Sequence, residues 1–182
     1  MKSRTPLTKE ELARLQEEIK PLIAGFEFIT DHVIITDEHA NIIYANKGAI
    51  ENTKYSYDEL IGRNPADAWG GHMDKEFYEK MWHTIKVEKR PFTGEVKNIK
   101  KDGTEYWQEL KIYPILGDNN EVRFFIGIEP DITLRKSTEE QQKDYLAEIE
   151  RLNEFMVGRE LRILELKEEV EKLRRRLSGI TR

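Results

Sequence analysis

Two side-chain amides on neighbouring β-type runs carry the first chemical signal in this sequence: Asn98 within Phe92–Lys100 and Gln108 within Tyr106–Ile115. Strand alternation places Phe92, Gly94, Val96 and Asn98 on one face, and Tyr106, Gln108, Leu110 and Ile112 on one face of the next run. If these are the inner faces, two amides point into a mostly apolar space. A buried amide left without partners costs about 1–3 kcal/mol, so something must satisfy it. A ligand with an edge of donors and acceptors would do so, as would water and backbone in a small or empty pocket. The groups that could catalyse do not converge. Asp37 with Glu38, and Glu139 with Glu140, are neighbours in sequence and not the separated acid and base of a catalytic pair. Serines and threonines lack a neighbouring histidine motif, no two histidines have helical ligand spacing for zinc, and there is no cysteine. The residues point to recognition, not catalysis.

The elements that must position these amides follow from periodicity. Residues 1–27 form an amphipathic lead-in helix, opened by Thr8 and Glu11 at capping-box spacing and continued by Leu12, Leu15, Ile19, Leu22 and Ile23. Pro21 is expected to kink or stop it. Residues 28–134 then read as one α+β domain. Val33–Thr36 and Ile42–Ala45 are strands joined through Asp37 to Asn41. Ser56 and Glu59 repeat the capping box, with Gly62 ending that short helix. A longer helix begins near Asp74, with Phe77, Met81 and Ile85 on one stripe and Tyr78 and Trp82 beside it. Phe92–Lys100, Tyr106–Ile115 and Val122–Ile128 are three further strands, the first two joined by a turn at Asp102-Gly103. The order strand-strand, helices, three strands predicts a five-stranded antiparallel sheet with helices on one face and a pocket between the layers.

Residues 135–182 form a different kind of object. Ile149, Leu152, Met156, Arg159, Ile163, Leu166, Val170, Leu173, Leu177 and Ile180 step by three and four without a break, and only Arg159 is polar. Ile149, Ile163 and Val170 fall at a, and Leu152, Leu166 and Leu173 at d, the arrangement that favours a parallel two-stranded coiled coil and hence a homodimer. Glu169 and Arg174 occupy g and e positions able to pair across it. A single helix folding back on the domain is the alternative. Arg159 beside Gly158 puts a charge and a poor helix former in the middle of the seam, a soft spot where register can change.

The middle segment resembles the PAS family, in particular members with a terminal PAC motif. The stretches that carry the resemblance are Ile35-Thr36-Asp37 through Tyr44-Ala45-Asn46, then Tyr57 to Asn64, then Asn98 to Gly103, and finally Phe125 to Thr133. It implies a PAS fold and a sensory role. In flavin-binding PAS and light-oxygen-voltage domains, amides on the same two strands hold the isoalloxazine edge; Asn98 matches the first and Gln108 replaces an Asn at the second. Pro65 follows Asn64 where the photochemical Cys would stand, which excludes a cysteinyl adduct, and Glu129 stands where the light sensors carry Gln. The ligand-binding candidates are Asn64, Asn98, Gln108, Trp82, Tyr44 and Glu129, with flavin (FAD or FMN), haem or no cofactor as the options. Some PAS oxygen sensors ligate haem iron through a His on the long helix, which makes His83 the haem candidate. Asp131, Ile132 and Thr133 match the triplet that couples sheet to output helix in related domains.

The segment Leu152 to Leu161 and the Glu165 to Glu169 stretch look like the linker after PAS domains in bacterial two-component sensors, often histidine kinases. His32, His39, His72 and His83 all lie in the PAS segment, so nothing after the coil offers a phospho-acceptor, and no Gly-rich nucleotide-binding stretch follows. The expectation is a sensor that acts on a downstream kinase or other effector, or a fragment of such a kinase; an assembly module with a vestigial pocket is the competing reading. Net charge is −5, which disfavours non-specific attraction to nucleic acid, and the Arg174-Arg175-Arg176 run sits among glutamates. No apolar run reaches membrane-span length and no signal peptide opens the chain, so the expected location is the cytoplasm, with which the missing cysteines agree.

Overall fold

The structure, a computed structural model, describes residues 7–180, with backbone alone at Leu22 and at 176–180. It divides into two compact units, Met1–Leu134 and Arg135–Arg182.

In the first unit, α1 (Lys9–Ile23) begins at the Thr8–Glu11 capping box, with Thr8 Oγ1 accepting from the Glu11 amide and the Glu11 carboxylate accepting from the Thr8 amide. Pro21 does not stop it; the helix continues to Ile23 and a short 3₁₀ turn at Phe26–Phe28 redirects the chain. Five strands follow: β1 (His32–Asp37), β2 (Ile42–Ala45), β3 (Phe92–Ile99), β4 (Glu105–Leu116) and β5 (Val122–Glu129). They form one antiparallel sheet in the order β2-β1-β5-β4-β3. In the β3–β4 turn Gly103 takes the positive φ, and Asp102 accepts a hydrogen bond from the Thr104 amide.

Between β2 and β3 the chain builds α2 (Lys47–Thr53), α3 (Tyr57–Leu60), α4 (Pro65–Ala68) and α5 (Lys75–Trp82), the last running into a π turn at His83–Val87. Their caps are written in the sequence: Asn46, Asn64 and Asp74 each accept from the backbone amide of the second or third residue of the helix they start. This layer covers one face of the sheet, with Ala49, Leu60 and Trp69 against Ile34 and Tyr106, and Met81 and Ile85 against Val96, Leu110 and Phe125. The opposite face is not bare. Leu15 and Ile19 of α1 pack there on Ile35, Ile43, Tyr44 and Phe124. β1 and β2 are therefore buried on both faces along their whole length.

In the second unit, α6 (Thr133–Ile180, its first two residues in the first unit) is one unbroken helix of about 70 Å through Gly158 and Arg159. Leu152, Met156, Ile163, Leu166, Val170 and Leu173 are exposed along it, so the described part of the heptad pattern presents an apolar face. The side chains of Leu177 and Ile180 lie outside the described residues. No helix among the described residues is long and apolar enough to cross a membrane.

Candidate functional site

A cavity of about 360 Å³ opens between the sheet and the helix layer. Its walls are mostly apolar: Ile34, Val96, Leu110 and Phe125 from the sheet, Met81 and Ile85 from α5 and the turn after it. Gly127 in β5 leaves the sheet wall low, because a Cβ there would stand 3.0 Å from both Ile34 Cγ1 and Glu129 Oε1. Trp69, fully buried, closes one side next to Gly70 and Gly71.

One edge of the cavity is polar and ordered. Asn98 lies on the wall, and its Nδ2 donates to Gln108 Oε1 at 2.7 Å. Gln108 is completely buried one layer behind; its Nε2 donates to the Glu129 carbonyl at 3.0 Å and lies 2.9 Å from His32 Nδ1. The two amides predicted on neighbouring strands are thus one chain of hydrogen bonds, brought together because Val96 pairs with Gln108 and Asn98 with Tyr106 in the β3–β4 register. Glu129 also lines the cavity, its carboxyl buried at the end of β5. Burial pushes its pKa up to about 7, partly offset by a hydrogen bond from Trp69. The same desolvation pushes His32 down to about 3, so the imidazole is neutral and its 3.8 Å approach to Glu129 is no ion pair.

The other candidates divide. Trp82 lines the cavity, edge-on to Phe125 at 5.9 Å between ring centres, with the Lys86 ammonium 4.7 Å from its ring. Asn64 lines it too, but its amide is spent on structure: Oδ1 accepts from the Ala66 amide at 3.0 Å and Nδ2 donates to the Ala40 carbonyl at 2.9 Å. Tyr44 is not in the cavity. It belongs to the opposite face of the sheet, under α1, where its hydroxyl donates to Glu27 at 3.0 Å. His83 is not a pocket ligand either: its ring is exposed outside the cavity, 3.5 Å from Glu88. Two residues of the site went unpredicted, His32 and Trp69. Alternation back from Ile34 would have placed His32 on the inner face; Trp69 followed no periodic pattern.

Beyond Glu129 the strand passes into the triplet. Asp131 Oδ1 accepts from the Thr133 amide at 2.9 Å and from the Thr133 hydroxyl at 2.6 Å. Asp131 Oδ2 accepts from Asn52 of α2 at 3.2 Å and stands 3.7 Å from the Lys100 ammonium after β3. Thr133 Oγ1 in turn accepts from the Trp107 amide of β4 at 2.9 Å, and the Ile132 amide donates to the Trp107 carbonyl. Hydrogen bonding to Thr133 holds the Asp131 carboxyl below its ordinary range against the desolvation that opposes it. The start of α6 is hydrogen-bonded to the strand that carries Gln108.

The geometry can be set beside known proteins. A blue-light photoreceptor of Listeria innocua is 39% identical over 124 residues, which cover 66% of this chain and 48% of the photoreceptor. A nitrogen fixation regulatory protein of Klebsiella oxytoca is 29% identical over 118 residues, 65% of this chain and 24% of the regulator. The chain thus spans less than half the length of the curated relatives it matches. Among solved structures, the PAS domain of a Colwellia psychrerythraea protein superposes with a TM-score of 0.55 at 29% identity, covering 64% of this chain and 98% of that domain. An RNA-binding light-oxygen-voltage receptor superposes with a TM-score of 0.62 at 21% identity, covering 80% of this chain and 41% of the receptor, a likeness of fold. Residues 30–134, more than half of the chain, match the PAS domain model, and the chain belongs to the PAS family of sensory domains.

Proposed function

We propose that this chain is the signal-sensing and dimerising part of a two-component-type protein, which reads the redox state of a flavin in its cavity and relays it to a parallel coiled coil. The observation that carries this reading is the Asn98–Gln108 amide chain, buried and opening onto an otherwise apolar cavity. Apolar walls with a few placed polar groups are what a heteroaromatic ligand with one polar edge requires, and about 360 Å³ lies within the usual range for such sites. Asn98 and Glu129 would meet that edge, and Trp82 and Phe125 would flank the rings. When bound, a flavin would supply reversible electron and proton uptake. With Pro65 after Asn64 and no cysteine in the chain, a cysteinyl adduct is excluded as the signal. Relatives named as blue-light photoreceptors support a chromophore absorbing in the blue.

The relay runs from Gln108 through its bond to the Glu129 carbonyl, along the end of β5, to Asp131 and Thr133. A shift of the polar edge then moves the start of α6, and two such helices in one coil change register or crossing at Arg159. An absorbance spectrum of freshly purified protein, with mass spectrometry of whatever heat releases, tests the ligand. Flavin bands and a released flavin are the expected result. A featureless spectrum, with no uptake of added FAD or FMN, would overturn the flavin reading and favour an assembly module acting through α6 alone.

A further inference from the structure

Glu129 and His32 are register partners across β5 and β1, and both are buried. Glu129 also has Trp69 near it from the chain after α4 and Gln108 and Tyr106 from β4, and shares the cavity wall with Asn98 of β3. None of these carries a positive charge: the imidazole is neutral, and burial holds the Tyr106 phenol protonated. The charges farther out, Asp131 and Lys100, face each other at 3.7 Å. The Trp69 indole is a donor to the carboxyl, and His32 Nδ1 stands 3.8 Å from Oε2.

What Nδ1 offers is decided by the backbone. The Glu129 carbonyl can only accept, so the Gln108 group 3.0 Å from it must be the NH₂. The same NH₂ faces His32 Nδ1 at 2.9 Å, which makes Nδ1 an acceptor and leaves the ring proton on Nε2. An ionised Glu129 would therefore face, across 3.8 Å, a ring nitrogen with no N–H to offer and its one lone pair held by Gln108, while the Lys100 ammonium is turned to Asp131 and the Tyr106 ring and the Lys86 ammonium to Trp82. A protonated carboxyl removes that conflict.

We infer that His32, locked by Gln108 as the Nε2–H tautomer, keeps Glu129 a neutral carboxylic acid and so makes ligand uptake by the cavity proton-linked. A ligand that brings an acceptor to Glu129 binds with the proton in place. A ligand that brings an N–H or a cation binds as Glu129 releases its proton to solvent, one proton for each ligand bound. His32 is a positioning residue, since it does not line the cavity. The upward displacement of Glu129 and the downward displacement of His32 by burial agree with this assignment. The ligand half of the inference rests on the cavity being the sensing site.

Isotope-labelled full chain, titrated by NMR from about pH 5 to 9, tests it. His32 is expected to show the Nε2–H tautomer throughout, and the Glu129 carboxyl to titrate near neutrality. His32→Asn, which can turn an amide N–H toward Glu129, should lower that midpoint by about one pH unit or more. Gln108→Leu frees the imidazole to move its proton to Nδ1 and should lower the midpoint as well, which covers the case in which His32→Asn does not fold. A wild-type midpoint in the ordinary carboxylate range, or one unmoved in the folded variant, overturns the inference. Riboflavin is the probe for the ligand half: its affinity should change by up to about ten-fold per pH unit on one side of the midpoint, and Glu129→Gln should abolish that dependence. Binding to the wild type that ignores pH overturns the linkage. Riboflavin that binds at no pH, with Glu129 titrating near neutrality and moving in His32→Asn, overturns the flavin reading and supports the His32–Glu129 assignment.

Discussion

At the scale of single residues, the buried polar groups carry the consequences. Asn46 is the densest of them: Oδ1 accepts from the Val33 and Ala49 amides at 3.0 and 2.9 Å, and Nδ2 donates to the Ile29 and Asp31 carbonyls, both at 2.9 Å. It ties β1, α2 and the turn after α1 together. Asn46→Ala leaves these backbone groups without partners, and urea unfolding should show a loss of about 3 kcal/mol with little change in m-value. The Glu129–His32 pair makes a second prediction, this one about pH. Glu129 has its folded pKa raised from 4.5 to about 7, so its contribution to stability is full below 4.5 and is lost as pH rises through 7. His32 has its folded pKa lowered from 6.5 to about 3, so its contribution is full above 6.5 and is lost as pH falls through 3. Between about 4.5 and 6.5 the folded chain gains one proton and forgoes another, and the two slopes cancel. Glu129→Gln removes only the first, so its stability relative to wild type should climb by about 1.4 kcal/mol per pH unit across that window. Parallel slopes for the two proteins in chemical denaturation at several pH values would show that Glu129 is ionised throughout.

At the scale of elements, the strands that alternate in sequence were placed correctly, and the strands that do not were ambiguous for a physical reason. β3 and β4 alternate buried with more exposed residues, so Asn98 and Gln108 could be assigned to the inner face from spacing alone. β1 and β2 are buried on both faces because α1 covers the side away from the cavity, and a run such as Ile42-Ile43-Tyr44-Ala45 then has no polar face to orient it. That is why Tyr44 was assigned to the pocket and His32 was passed over. The π turn at His83–Val87 left no mark in composition, and His83 on it read as a possible ligand although it faces outward. The Asp131-Ile132-Thr133 junction was legible, but its partners Asn52, Lys100 and Trp107 were not, since they arrive from three other elements. These contacts give the junction its prediction. Asp131→Ala removes the one oxygen that accepts both Thr133 bonds together with the links to Asn52 and Lys100. It should preserve the sheet and dimerisation while uncoupling the cavity from α6. In a chimera with a downstream kinase, the variant's output should no longer respond to the signal; an undiminished response would remove Asp131 from the relay.

At the scale of the whole molecule, the consequences gather on the exposed apolar side chains of α6. A helix of about 70 Å exposes Leu152, Met156, Ile163, Leu166, Val170 and Leu173, and in the proposed dimer their a–d spacing, with β-branched residues at a, would set them against a second copy in parallel. In that arrangement the two Arg159 side chains meet at one d layer. Like charges at the axis, beside Gly158 with its low helix propensity, weaken the coil at its midpoint without breaking the heptads on either side. Arg159→Leu replaces the charge with an apolar side chain on both chains and should tighten the dimer by on the order of 3 kcal/mol in sedimentation equilibrium. Truncation after Lys136 should give the reverse, a monomer or a much weaker dimer, and a truncated chain that still dimerises as tightly would move the interface to the sheet or α1. The two effects must part company in function. If Arg159 is where register changes, the tighter Arg159→Leu dimer should hold the kinase chimera in one output state whatever the cavity contains, because a stronger seam removes the second arrangement that the signal has to select. A chimera with Arg159→Leu that dimerises more tightly and still switches would show that the relay works by tilting the whole coil, with no change of register at its centre.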